Sequence, residues 1–253
     1  METSSSLILP DLFRMGCVLV YVSLVILIPK TLKNRNIISR GTARKIVHSM
    51  AGLSVFITPY LNYPVLAALL AGGMTVMTRK SSRNSRTSAF RELYEAIHED
   101  EESELGYLQG PFAYSAAITI LVFVFLFFPE KFYFPIAAIL VMMFADPTAS
   151  IVGKKFGKHF VPIPWTRGKR TLEGSAAFFL VALACSLFTF LFLGNLLPGH
   201  SDVLSLELIL FFSLLMSVVS TLIELLSPSK YDDFFVPIGA TAFVSAAALL
   251  LGI

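Results

Sequence analysis

Long apolar segments recur along the chain and are separated by short polar segments. A helix that crosses the hydrocarbon core of a bilayer needs about 20 mostly apolar residues. The pattern predicts eight such helices, within a range of seven to nine. Their approximate bounds are 12–29, 45–61, 64–78, 111–128, 133–153, 174–196, 206–227 and 235–252. The sequence therefore predicts an all-α, polytopic transmembrane helix bundle that forms a single integral membrane domain over residues 1–253.

Composition supports this prediction. Hydrophobic residues make up 55% of the chain and charged residues 15%, whereas soluble domains are about one quarter charged. We expect the lipid bilayer as the main partner and no nucleic-acid partner, and the oligomeric state stays open.

The basic residues alternate between the two sides of the predicted bundle. Segments 30–45, 79–91 and 154–170, together with the loop after the seventh span, contain 18 of the 20 lysines and arginines. Cytoplasmic loops are enriched in basic residues, so these loops are predicted to be cytoplasmic. Both termini are then non-cytoplasmic, and Arg14 is expected to extend its charge toward the interface.

Segment 92–104 is strongly acidic and interrupts this pattern. We expect a solvated loop. The alternative is a short interfacial helix in which Leu93, Ile97 and Tyr94 form an apolar stripe.

Asp146 stands out because an ionisable residue at membrane depth is costly. It precedes Gly153 by seven residues, which places it about 10 Å below the cytoplasmic end of the fifth span. Small residues share its helix face, namely Ala149, Ser150, Gly153 and Gly157. Tight helix packing would explain the glycines but not the aspartate, so we predict a functional role for Asp146.

A loop rich in glycine and basic residues follows Asp146 and is suited to a phosphate chain, because backbone N–H groups and ammonium groups bind anions. A neighbouring carboxylate could hold Mg²⁺. The alternative is a loop that is basic for topology alone. The candidate phosphate-binding residues are Ser150, Gly153, Lys154, Lys155, Gly157, Lys158, Lys169, Arg170 and Thr171.

Further candidates lie in three other places. Glu173 could orient a lysine, bind metal or cap the sixth span. Glu224 and the pair Asp232 and Asp233 could complete a metal site. Near the start of the second span, phosphate contact is predicted for Arg44, Lys45 and His48, and the alternative for His48 is a structural role.

These segments together resemble the polyprenol kinases, which include dolichol kinase, phytol and farnesol kinases and the CTP-dependent diacylglycerol kinase. The resemblance rests on Asp146–Lys158, Lys169–Ser175, Arg44–His48, Glu224 and Asp232–Pro237, and it covers about residues 40–245. Pro147 departs from the family pattern, where threonine commonly follows the aspartate, and a proline can kink the helix there.

The resemblance implies a CTP-dependent lipid-alcohol kinase. Its acceptor would be a membrane isoprenoid alcohol, of the dolichol, phytol, farnesol or geranylgeraniol type, or diacylglycerol. Catalytic roles are implied for Asp146, Lys169, Glu173 and His48, with Mg²⁺ held by Asp146, Asp232, Asp233 and Glu224. The active site would lie on the cytoplasmic face, of the plasma membrane in a prokaryote or of an ER or plastid membrane in a eukaryote.

Two alternatives stay open. A phosphatidate cytidylyltransferase carries a related central motif, although its C-terminal Pro-Gly-His-Gly-Gly run is missing after Pro237. An ion-coupled transporter could use Asp146 and Glu224 as a relay, but the chain has no clear inverted repeat.

Overall fold

The computed structural model describes residues 4–98, 100–163, 170–228 and 231–253. The chain divides into two compact units, an N-terminal unit (Met1–Leu126) and a C-terminal unit (Phe127–Ile253). Each unit is described by itself, and the prediction of a single domain stays a prediction.

Helices form the N-terminal unit. They are α1 (Ser4–Asn34), α2 (Arg40–Ala51), a 3₁₀ helix (Gly52–Tyr60), α3 (Val65–Lys80), α4 (Ser88–Ile97), α5 (Asp100–Leu105) and α6 (Gln109–Phe125).

The C-terminal unit is also mainly helical, with one short strand pair that the sequence did not predict. Its elements are a 3₁₀ turn (Pro129–Lys131), α7 (Tyr133–Phe156), β1 (Phe160–Val161), β2 (Arg170–Thr171), α8 (Leu172–Leu191), a π-helical turn (Phe192–Leu196), α9 (Leu206–Leu226) and α10 (Asp232–Leu250). The two strands pair antiparallel, with Phe160 opposite Thr171.

Five helical segments among the described residues are long and apolar enough to cross a bilayer. They are Leu7–Asn34, Pro129–Phe156, Leu172–Leu196, Leu206–Leu226 and Asp232–Leu250. A shorter apolar helix, Gln109–Phe125, corresponds to the fourth predicted span. The all-α membrane bundle is thus confirmed, whereas the count of eight spans and the placement of the termini stay predictions.

The acidic segment after residue 91 begins with a packed helix rather than a solvated loop, so that expectation was wrong. Helix α4 buries Leu93, Tyr94, Ala96 and Ile97, and these side chains form a core cluster with Leu108. Ile26, Val47 and Met77 pack against this cluster from α1, α2 and α3. The three- and four-residue spacing of the apolar positions places them on one face of a helix, and that face is buried.

Arg14 has an ion-pair partner, and its expected reach toward the interface stays a prediction. Its guanidinium donates to Asp11 at 2.8 Å, and Asp11 is completely buried. The same carboxylate accepts from the Asn62 amide at 3.1 Å and from the Tyr63 backbone N–H at 2.8 Å. The buried charge is therefore balanced, and the first turns of α1 are tied to the turn that precedes α3.

The core of the C-terminal unit is built on α7, which is buried without interruption from Tyr133 to Met143. Edge-to-face contacts connect Phe134 with Phe190 of α8 and Phe212 of α9, at ring-centroid distances of 5.8 and 5.2 Å. Helix α7 also continues through Pro147 as one α-helix, so Asp146 keeps its helical position relative to Gly153.

Candidate functional site

The glycines that follow Asp146 allow α7 and α8 to approach closely. A Cβ atom on Gly153 would lie 3.0 Å from the Thr171 hydroxyl oxygen, and one on Gly157 would lie 2.6 Å from the Thr171 methyl carbon. A Cβ on Gly174 would lie 3.2 Å from the carbonyl oxygen of Ala149. Close packing therefore accounts for these glycines, and the phosphate contacts of Gly153 and Gly157 stay a prediction.

Thr171 has a second role at this junction, because it is the N-cap of α8. Its hydroxyl oxygen accepts from the Gly174 backbone N–H at 3.1 Å. A side-chain oxygen at this position satisfies one of the N–H groups that an α-helix leaves unpaired at its first turn. The start of α8, and with it the position of Arg170 one residue earlier, is thereby fixed.

Arg170 connects parts of the chain that are far apart in sequence. Its guanidinium donates from one terminal nitrogen to Glu224, in the last turn of α9, and from the other to Asp232, in the first turn of α10, at 3.0 Å. The side chain of Arg170 is 15% exposed, that of Glu224 3% and that of Asp232 11%. The three groups form a largely buried cluster that we call the carboxylate–arginine cluster.

Asp146 acts on the same cluster. Burial of Arg170 opposes its charge, but the carboxylates of Glu224 and Asp232 outweigh this effect and raise the pKa of the guanidinium. The half-buried carboxylate of Asp146 raises that pKa further. Asp146 therefore interacts electrostatically with Arg170, in addition to the two carboxylates that Arg170 binds directly.

The cluster fits a divalent cation by its donor chemistry. One carboxylate oxygen of Glu224, Oε2, is buried and has no hydrogen-bond partner among the described residues. Mg²⁺ takes oxygen ligands and is commonly held by one or two carboxylates together with substrate phosphates. Asp146 and Asp233 offer carboxylate oxygens that lie within 4.8 Å of each other and would supply such ligands. Asp233 follows in the same turn of α10, where its backbone N–H donates to Asp232 at 2.9 Å.

The predicted phosphate-binding lysines lie at the solvent-exposed end of α7. Lys154, Lys155 and Lys158 are exposed, and the ammonium group of Lys155 lies 5.3 Å from the centre of the Phe156 ring. Ser150 is half-buried and lies about one turn after Asp146 on α7. Lys169 lies outside the described residues, and its predicted catalytic role stays a prediction.

Glu173, in the first turn of α8, is paired with a histidine that the sequence did not single out. Its carboxylate lies 2.7 Å from Nδ1 of His159 and accepts from the His159 backbone N–H at 3.3 Å. Contact across the short strand pair brings the two residues together. Glu173 therefore supports the geometry of the loop before β1, and its predicted catalytic role stays a prediction.

The candidates on α2 belong to the N-terminal unit. Arg44 donates to Glu102 at 2.6 Å and to the Ile97 carbonyl oxygen at 3.4 Å. The other carboxylate oxygen of Glu102 accepts from the Gly110 backbone N–H at 2.8 Å, in the first turn of α6. Arg44 is thus bound to a carboxylate that also caps a helix.

The other two α2 candidates differ in exposure. Lys45 is exposed, whereas His48 is half-buried and its ring centre lies 4.7 Å from that of Tyr114. Phosphate contact by Arg44, Lys45 or His48 stays a prediction.

Sequence reasoning missed Glu102 and His159. Glu102 precedes Gly110 by eight residues and Arg44 precedes Glu102 by 58, so a sequence pattern gives no local signal for their contact. The only available signal was the position of Glu102 shortly before an apolar helix, where carboxylates are favourable.

The chain is similar to a curated phytol kinase from Synechocystis sp. (strain ATCC 27184 / PCC 6803 / Kazusa). The two are 26% identical over 256 residues, which cover 98% of this chain and 97% of the relative. No family model matches the chain, and no solved structure matches it. The aligned region includes every motif that carries the resemblance stated above, and it supports membership of the polyprenol kinase family.

Proposed function

We propose that this protein transfers the γ-phosphoryl group of CTP to the hydroxyl group of a membrane isoprenoid alcohol, with phytol as the first substrate to test. The carboxylate–arginine cluster is the observation that carries the proposal. It joins Arg170 of the central motif to Glu224 and Asp232 of the C-terminal motif, and Asp146 acts on the same guanidinium. Similarity to a phytol kinase along nearly the whole chain supports the choice of acceptor.

The reaction balances as a simple displacement. The alcohol oxygen forms a bond to the γ-phosphorus, the bond from that phosphorus to the bridging oxygen of the β-phosphate breaks, and the hydroxyl proton passes to a base. The products are CDP and the lipid phosphate. Such a transfer depends mainly on positioning and on neutralising the phosphate charge.

The residues of the C-terminal unit would divide this work. Mg²⁺ held by Asp146 and Asp233, with Glu224 and Asp232 as further carboxylates of the site, would neutralise charge on the β- and γ-phosphates when bound. The exposed lysines at the end of α7 would bind the same phosphates as point charges. Arg170 would keep the carboxylates in place by its paired hydrogen bonds.

Two residues are candidates for the base, Asp146 and His48. Either must come within hydrogen-bond reach of the alcohol hydroxyl. We expect the site to open on the cytoplasmic side, because the lysines that would bind nucleotide belong to the predicted cytoplasmic loops.

The proposal is tested with purified protein, Mg²⁺ and CTP labelled at the γ-phosphate, given with phytol, farnesol, dolichol, diacylglycerol or phosphatidate. Label in a lipid alcohol supports the kinase. A CDP-lipid formed from phosphatidate, with label released as pyrophosphate, would identify a cytidylyltransferase instead. Absence of turnover with CTP, ATP, GTP and UTP would refute both enzymes and favour transport. Parallel reactions with the other three triphosphates test the preference for CTP.

Two variants sharpen this test. Asp146→Asn and Glu224→Gln are expected to abolish transfer, while the proteins still insert in the membrane. Glu207→Gln is the matched control, since Glu207 is exposed at the opposite end of α9. Full activity in either site variant would remove that residue from the site.

A further inference from the structure

The N-terminal unit contains a cavity of about 110 Å³ that the chemistry proposed above does not use. Helices α1, α2, α3, α4 and α6 and the 3₁₀ helix between α2 and α3 all contribute to its lining. A single water needs about 10–15 Å³ measured in the same way, so the cavity has room for a sizeable part of a ligand. Most of the lining side chains are apolar, which suits a hydrocarbon.

The stretches of α1, α3 and α6 that line this cavity are equally long. Its lining runs from Met15 to Ile26 on α1, from Ala67 to Thr78 on α3, and from Pro111 to Val122 on α6. Each stretch covers eleven residue steps, or about 16 Å at 1.5 Å per residue. The cavity is therefore an elongated channel along the helices rather than a rounded void.

Polar groups concentrate toward one end of the channel. Arg44 lines it there and is held by Glu102 and by the carbonyl oxygen of Ile97. The Thr78 and Ser115 hydroxyl groups lie 3.0 Å apart at the same end. His48 lines the channel one turn along α2 from Arg44. Toward the other end the lining includes Met15, Val18, Val55, Ala67 and Val122, along with the hydroxyl of Thr58.

We infer that this channel binds the hydrocarbon chain of the isoprenoid alcohol, with its hydroxyl toward Arg44 and His48 and its tail toward Ala67 and Val122. The inference rests on the proposed function and adds the site that selects the acceptor. A ligand with one polar head and one long chain matches a channel that has Arg44 and His48 at one end and a mostly apolar lining at the other.

The lining also suits a branched chain. Met15, Met74 and Met77 come from two different helices, and methionine side chains adapt their shape to irregular partners. An isoprenoid chain carries methyl branches at intervals, so the channel that binds it must vary in width along its length. The competing occupant is an acyl chain of an ordinary membrane phospholipid. The second experiment below distinguishes this occupant from the isoprenoid alcohol.

The first experiment shortens the channel at its tail end with Ala67→Phe and compares phytol with the shorter alcohol geraniol. Val76→Phe is the control, because Val76 is on the same helix, is exposed and is absent from the lining. We expect Ala67→Phe to lower kcat/KM for phytol about tenfold or more relative to geraniol. Val76→Phe should leave this ratio unchanged.

The outcomes distinguish failure of the proposed kinase function from failure of the inference that the channel binds the hydrocarbon chain. If the wild-type protein phosphorylates neither these two alcohols nor any other alcohol of the panel above, the proposed function fails. If it phosphorylates both, and a folded Ala67→Phe protein loses both activities equally or neither, the channel does not hold the chain and the kinase proposal stands.

The second experiment uses the wild-type protein, so it depends neither on enzymatic turnover nor on the folding of a variant. An isoprenoid alcohol with a diazirine at its tail is photolysed with the wild-type protein in phospholipid nanodiscs, and the labelled peptides are identified. We expect labels on α3 and α6 near Ala67 and Val122, which free phytol reduces. Labels confined to exposed residues such as Val76, or labels that added phospholipid removes as well as phytol does, would overturn the inference.

Discussion

Replacing Arg170 by methionine tests the carboxylate–arginine cluster directly. Methionine keeps an unbranched side chain but removes the charge, which leaves Glu224 and Asp232 buried without their cation. These residues are 2% and 8% exposed, so water cannot take the place of the guanidinium. Removing one partner of a buried ion pair costs about 3–5 kcal/mol, and we expect Arg170→Met to lower the free energy of unfolding by that amount.

A second substitution shows whether the cost comes from uncompensated charge. In Arg170→Met/Glu224→Gln one of the two stranded carboxylates is neutral. We expect the double variant to be more stable than Arg170→Met, with a coupling energy of about 1–3 kcal/mol. Arg170→Lys keeps the charge but lacks the two terminal nitrogens by which the guanidinium reaches both carboxylates. Its stability should lie between those of the wild type and Arg170→Met.

The measurement is reversible unfolding of the purified protein in mixed micelles, followed by circular dichroism as the denaturing detergent increases. A stability loss below about 0.5 kcal/mol in Arg170→Met is the ordinary effect of a surface substitution and would refute the reasoning. Additive effects of Arg170→Met and Glu224→Gln would likewise show that the two side chains do not interact.

Three further predictions concern packing and buried charge, and each is measured by the same unfolding assay. Gly157→Ala should lower the free energy of unfolding by about 1–3 kcal/mol, because its Cβ would overlap both the Gly153 carbonyl oxygen and the Thr171 side chain. Gly73→Ala, with no atom within 4 Å of a Cβ, should be neutral or stabilising. An unchanged Gly157→Ala protein would show that α7 and α8 do not pack as described. Asp11→Asn should cost about 2–3 kcal/mol by weakening three buried hydrogen bonds, and a loss near zero would contradict that network. Glu102→Ala should cost about 3–5 kcal/mol, since it strands a partly buried arginine and uncaps α6, and Glu102→Gln should recover part of the loss.

The long helices were predictable because each contains an apolar segment close to the thickness of a bilayer. Helix α4 was only the alternative prediction, because its many carboxylates favoured a solvated loop over the apolar face that was also visible at helical spacing. Leu93 and Ile97 are four residues apart, and burial of that face decided the structure. Local charge was therefore a poorer guide in this segment than periodicity.

The individual residues of the candidate site could be predicted from the sequence, but the contacts between them could not. Arg170 was expected to bind phosphate, and the structure shows it bound to Glu224 and Asp232, which follow it by 54 and 62 residues. No sequence spacing encodes a contact of that range, since it depends on how α8, α9 and α10 pack. The glycines were ambiguous for a related reason, because close helix approach and phosphate binding favour the same residue.

Charge balance links the pairing of Arg170 to the proposed chemistry. When ionised, Asp146, Glu224 and Asp232 together carry three negative charges against the one positive charge of Arg170. An excess of two negative charges next to a membrane is energetically unfavourable unless a further cation compensates it. The nearby lysines are exposed at the end of α7 and suit an anion outside the cluster better than its carboxylates. A magnesium nucleotide would meet both requirements at once, its metal at the carboxylates and its phosphates at the lysines, which is why we favour a kinase over a relay of protons or ions.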